Sequence, residues 1–211
     1  MHRKRRLNEL ELDDLWQRSV FDRLLEPVLR QSAYRNQIVF ADIKNPVAAM
    51  MQRLAHVDAI VQLPDGTMSL EIKLVRYPRY PDGTPSFNHW RDFFLETWSC
   101  TVPGHESRGW LITSQADYLL WGQVSLNEDS VNCWPIPFAR LRRWVGRHKR
   151  ELPERQVPNR INGRELWTRG RLAPIAKVCR DCRIDGFRVD QGGLICDLWG
   201  KPLLHFMRGA A

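Results

Sequence analysis

The stretch HVDAIVQLPDGTMSLEIKLVRYP, residues 56–78, constrains the fold of this chain more than any other. Two apolar runs flank Pro64-Asp65-Gly66, so the segment predicts a β-hairpin. With Asp65-Gly66 as a two-residue turn, Pro64 pairs with Thr67, Leu63 faces Met68, Ile60 faces Glu71 and Asp58 faces Lys73. Side chains alternate between faces, so Val57, Ala59, Val61, Leu63, Met68, Leu70, Ile72 and Leu74 form one apolar face. Asp58, Glu71 and Lys73 share the other. A type I turn on Pro64-Asp65 with a bulge would shift the register by one residue and bury Asp58 without a partner, the costlier choice. One Asp and one Lys on a strand pair are ordinarily a solvated ion pair. Two neighbouring carboxylates are different, because they repel unless a cation or Lys73 offsets them.

Oxygen ligands on adjacent strands suit Mg²⁺, which binds through one or two carboxylates, waters and a substrate phosphate. Asp58, a spacer of twelve residues and Glu71-Ile72-Lys73 resemble the Asp…(Asp/Glu)-x-Lys signature of the PD-(D/E)xK nuclease superfamily. The residue before Asp58 is Val57 and not Pro, a departure that family tolerates. By element order the resemblance spans residues 8–150. It implies an α/β fold with a restriction-endonuclease-like core, a central mixed β-sheet flanked by helices. It implies catalysis by Asp58, Glu71 and Lys73, with Asp58 and Glu71 binding Mg²⁺ or Mn²⁺ and Lys73 positioning or activating the attacking water. Members often present an acidic residue from the first helix, which makes Asp14 and, next to it, Glu11 further metal candidates; helix capping is the competing role for Asp14. Glu96 and Thr97 stand where the family often supplies another polar group. The implied reaction is phosphodiester hydrolysis of nucleic acid, DNA ahead of RNA. The competing class is an inactive nuclease-like fold or a basic nucleic-acid-binding module.

The chain of 211 residues carries a net charge of +8 and a pI near 9.6, which suits a polyanionic partner. Residues 8–31 show helical spacing at Phe21, Leu24, Leu25 and Val28, and residues 37–41 read as a first strand. Residues 46–54 read as a short helix or an irregular crossing. The loop YPRYPDGTPSFNHW supplies Arg79 and Tyr80, and Arg91 follows, a mixture of rings and cations that holds nucleic-acid strands. Order resumes over 91–100. Residues 108–126 predict one or two central strands around a turn at Ser114-Gln115, and 134–152 predict an amphipathic helix opening with Pro. From Arg140 to Arg171 eleven Lys or Arg stand against three Glu. A charge run is usually a solvated face, but this one-signed excess points to phosphate contacts by Arg140, Arg142, Arg143 and Arg147.

Two units are expected: a nuclease core over 1–152, and a basic, cysteine-containing C-terminal extension over 153–211 packed on it. Cys179-x₂-Cys182, with Cys196 and His205, offers a structural Zn²⁺ set, but no second tight pair completes it, so packed thiols are preferred. Five cysteines at irregular spacing suit a reducing, cytoplasmic setting. No apolar run is long enough for a bilayer, and the basic start lacks the apolar stretch of a secretory signal. A homodimer remains open by analogy with nucleases that cut both strands.

Overall fold

Phe21, Leu24, Leu25, Val28 and Leu29 are all buried, and the chain around them is helical from Glu9 to Ser32. The computed structural model describes residues 9–32, 38–40, 50, 55–64, 66–76, 91–102, 104, 106–161, 164–191 and 193–197. The first helix divides into α1 (Glu9–Val20), a π-helical turn (Phe21–Leu25) and α2 (Glu26–Ser32). Such a turn inserts an extra residue and shifts the phase of the helix face beyond it.

Eleven strands follow among the described residues: β1 (Ile38–Phe40), β2 (Ala59–Leu63), β3 (Gly66–Val75), β4 (Asp92–Cys100), β5 (Ser107–Arg108), β6 (Tyr118–Val124), β7 (Ser130–Pro137), β8 (Glu154–Ile161), β9 (Arg164–Pro174), β10 (Phe187–Asp190) and β11 (Gly193–Asp197). Helices α3 (Trp110–Thr113), α4 (Phe138–His148) and α5 (Ile175–Cys182) lie between them. One sheet has seven strands in the order β1-β2-β3-β6-β7-β10-β11, and the other has four in the order β5-β4-β9-β8. Within the larger sheet β3 and β6 are parallel and all other neighbours antiparallel. A parallel pair needs a long crossover, and here the chain crosses through β4, β5 and α3 before returning as β6. The fold is α/β with a mixed sheet.

Each face of the larger sheet buries its own core. On one face Ala59, Val61, Met68, Leu70, Leu74, Leu120, Val124 and Val131 meet the first helix. On the other, Leu119, Trp121 and Ile136 meet Phe93, Leu95 and Ala173 of the smaller sheet together with Trp110, Leu141, Trp144 and Val178 of α3, α4 and α5. Phe93 anchors this second core edge-on to both Trp121 and Trp134, with centroids 5.5 and 6.0 Å apart.

One expectation is met in its single-strand form and two are corrected. Residues 108–126 hold one central strand, β6, after the turn at Ser114-Gln115, and Trp110–Thr113 ahead of it form a turn of helix. The helix expected over 134–152 begins at Phe138, because Trp134–Pro137 end strand β7. Residues from 153 onward do not pack as an extension on a finished core: β9 pairs with β4, and β10 pairs with β7. The segments 46–54, apart from Met50, and 77–90 lie outside the described residues. Among the described residues no helix is long and apolar enough to cross a membrane.

Candidate active site

In the β2–β3 hairpin Leu63 pairs with Gly66, Val61 with Met68 and Ala59 with Leu70. The register therefore differs by two residues from that of an Asp65-Gly66 turn. Gln62 explains the difference: its Nε2 donates to the carbonyls of both Leu63 and Gly66 at 2.9 Å, latching the two strand ends together. A shift of two leaves the paired side chains on their original faces; Val57, expected beside Ala59, instead packs in the core on the other face, because it precedes the paired strand. Asp58, Glu71 and Lys73 still share one face, but Asp58 stands beside Glu71 and not beside Lys73.

Asp58 is bound to β3 twice. Its N–H donates to the Leu70 carbonyl at 2.7 Å, and its Oδ2 accepts the Ile72 N–H at 2.7 Å. Glu71 points between the two sheets and is 1% exposed. Its Oε1 lies 2.7 Å from the Lys73 ammonium, which is itself 32% exposed. Its Oε2 is buried with no donor beside it among the described residues. Burial pushes the Glu71 carboxyl up to about 7; the attraction of Lys73 opposes this, and the nearby charges of Asp58 and Glu96 add to it. Burial also acts to lower the Lys73 pKa, but Glu71 and then Asp58 outweigh it and raise the value, so the ammonium keeps its proton.

Two further groups come within electrostatic reach. Glu96 reaches the site from β4 in the smaller sheet, where the register with β9 slips between Glu96 and Trp98. Bulges of this kind re-aim side chains. Thr97, its neighbour, donates to the Arg169 carbonyl at 3.1 Å and belongs to the β4–β9 pair. His56 was not singled out from the sequence. Its φ is +47°, a left-handed backbone that is costly for a residue with a Cβ. Ser114 Oγ holds it there by donating to the His56 carbonyl at 3.0 Å, and the Gln115 N–H donates to the Ala55 carbonyl at 2.7 Å. Burial and then Lys73 lower the imidazole pKa, against Asp58 and Glu96, so His56 is neutral at pH 7. A left-handed histidine two residues before an aspartate has no periodicity by which a sequence could reveal it.

The residues fit a hard divalent cation. Two carboxylates lie side by side, one of them buried with an orphan oxygen, and such an atom in a native fold points to a missing ion or water. Trp121, paired with Lys73 across β6, buries a second orphan polar atom, its Nε1. Among the described residues no group of three His, Cys, Asp or Glu side chains is arranged around one metal position. Mg²⁺ does not require three, because waters and substrate oxygens complete its shell.

The expected arginines separate. Arg142 donates through Nε to the Leu111 carbonyl at 2.9 Å and through NH2 to the Ser114 carbonyl, and its guanidinium lies 4.8 Å from the Phe138 ring centroid. It clamps α3 to α4. Arg140, Arg143 and Arg147 instead line a concavity with Asp181, Cys182 and Arg183. Arg91 is exposed at the start of β4. Cys179 and Cys182 lie on α5; burial raises both thiols, Cys179 to about 12, so both keep their protons. The side chains of Glu11, Asp14 and Cys196, and residues Arg79, Tyr80 and His205, fall outside the described residues; the described apolar side chains of the first helix cover the sheet face opposite Glu71. No known family profile matches the chain, and no curated protein matches it significantly.

Proposed function

We propose that this protein is a metal-dependent nuclease with a restriction-endonuclease-like core, hydrolysing phosphodiester bonds of nucleic acid, DNA ahead of RNA. The observation that carries the reading is the buried Glu71 carboxylate, one oxygen on Lys73 and the other without a donor, beside Asp58 on one face of a hairpin. A purely structural ion pair has no need of a second carboxylate or of burial, and burying charge is costly without compensation. Asp58 and Glu71 would hold Mg²⁺ or Mn²⁺, which when bound supplies charge neutralisation for the scissile phosphate and acidifies a water. Lys73, kept protonated by its carboxylates, orients the attacking water and offsets charge that builds on the phosphate. The raised pKa of Glu71 favours loading above neutral pH, where its carboxyl is ionised.

The test is incubation with linear, circular, single-stranded and branched substrates in Mg²⁺, in Mn²⁺ and in chelator. Divalent-dependent cleavage is expected; Glu71→Gln and Asp58→Asn should abolish it while binding persists, and Lys73→Ala should lose about a hundredfold or more in rate. Binding without cleavage on every substrate would make the protein a basic nucleic-acid-binding module, the second reading that its +8 net charge supports.

A further inference from the structure

We propose that the concavity between α4 and the C-terminal end of α5 is a binding site for a phosphate monoester dianion, the phosphorylated end of a nucleic-acid strand. The nature of that ligand rests on the nucleic-acid reading above; the pocket itself does not depend on catalysis. Arg140, Arg143 and Arg147 fall at spacings of three and four on one face of α4. Across from them stand Asp181, Cys182 and Arg183, the last in a left-handed cap with φ +52°. Together these six residues line a half-open concavity of about 250 Å³. That is below the roughly 300–1,000 Å³ of pockets that enclose a drug-sized ligand, so it suits one small group and not a whole base and sugar.

Its charges are unbalanced. Asp181, the single carboxylate in the lining, is already engaged: Oδ2 accepts the Trp144 indole N–H at 2.9 Å and lies 3.5 Å from Lys177 Nζ, while Oδ1 lies 3.3 Å from Arg180 Nε. Arg140 is engaged too, donating to the Cys182 carbonyl at 3.2 Å. That contact answers the partial negative charge at the end of α5 with one cation. Arg143, Arg147 and Arg183 form no ion pair with a described carboxylate. Guanidinium groups lining one concavity repel one another unless an anion joins them, and their planar forks match phosphate oxygens two at a time. A terminal monoester carries nearly two charges and three free oxygens, which matches this excess better than the single charge of an internal diester.

Position agrees with this assignment. α4 packs on the sheet face that carries Glu71.

The experiment is titration calorimetry in chelator with inorganic phosphate and with oligonucleotides ending in phosphate or hydroxyl. The wild type is compared with the Arg143→Gln/Arg147→Gln double variant and with Arg155→Gln, an exposed arginine on β8. Both pocket arginines are exposed, so their loss should leave the fold intact. A phosphorylated end should bind about tenfold or more tighter than a hydroxyl end, a gain lost in the double variant and kept in Arg155→Gln. Inorganic phosphate that binds the wild type alone, with no preference among ends, also supports the pocket and assigns it to free phosphate. Equal affinity for all ends without phosphate binding overturns it, as does an equal loss in Arg155→Gln. Cleavage by a protein without end preference sinks the pocket alone, and end preference without cleavage sinks the nuclease reading alone.

Discussion

Glu71 and Lys73 were readable as sharing a face, though not as partners, because strand alternation is local: two residues apart on one strand means the same face whatever the rest of the chain does. The burial of Glu71 was not readable. It comes from the smaller sheet closing over that face, which also brings the charge of Glu96; the left-handed backbone of His56 is held by Ser114, equally distant in the chain. Burial has a measurable consequence. The Glu71 carboxyl rises in the fold from the usual 4.5 to about 7, so the folded state holds a proton that the unfolded chain has released. Its contribution to stability is therefore fully present below pH 4.5 and is lost as the pH rises through 7. In chelator the melting temperature should fall across that window, by the equivalent of roughly 3 kcal/mol, and Glu71→Gln should flatten the fall. Mg²⁺ should raise the melting temperature of the wild type above pH 7 and leave the Gln variant unchanged. A wild-type profile already flat between pH 4.5 and 7 would remove Glu71 from this role.

At the level of elements, patterns that repeat within one segment were followed and those that depend on a neighbour were not. The long first helix obeys its apolar spacing, while its π-helical turn, whose Phe21, Leu24 and Leu25 are buried against the sheet, has no local signature. Trp110–Thr113 has the composition of a strand, yet it forms a turn of helix whose last carbonyls need donors. Arg142 supplies them from α4, a contact spanning about thirty residues that no local pattern encodes. Arg142→Ala should therefore lower stability by about 1–3 kcal/mol, read from the denaturant midpoint, and leave the salt dependence of nucleic-acid binding unchanged. A flatter salt dependence with unchanged stability would return Arg142 to the phosphate-contacting set.

Over the whole molecule, the chain after residue 152 supplies structure to both cores. It brings Ala173, Ile175, Val178 and Ile184 to one and Phe187 and Val189 to the other. At roughly 1.5–3 kcal/mol for each large apolar side chain buried, losing them rivals the roughly 5–15 kcal/mol by which a domain is stable. A fragment of residues 1–152 should accordingly show no cooperative melting; a sharp transition would reveal an independent core. Charge and cysteine composition suggested a boundary at 153, but neither reports hydrogen bonding between β4 and β9, which lie some eighty residues apart. The sequence by itself determined the helix, the alternating strands and the common face of Asp58, Glu71 and Lys73, because each depends on spacing within a few residues. Only the tertiary structure decided which face closes, which arginines are tied to carbonyls and which line a concavity. Those outcomes depend on segments distant in the chain excluding water together, and burial is what turns a strand of mixed polarity into a site.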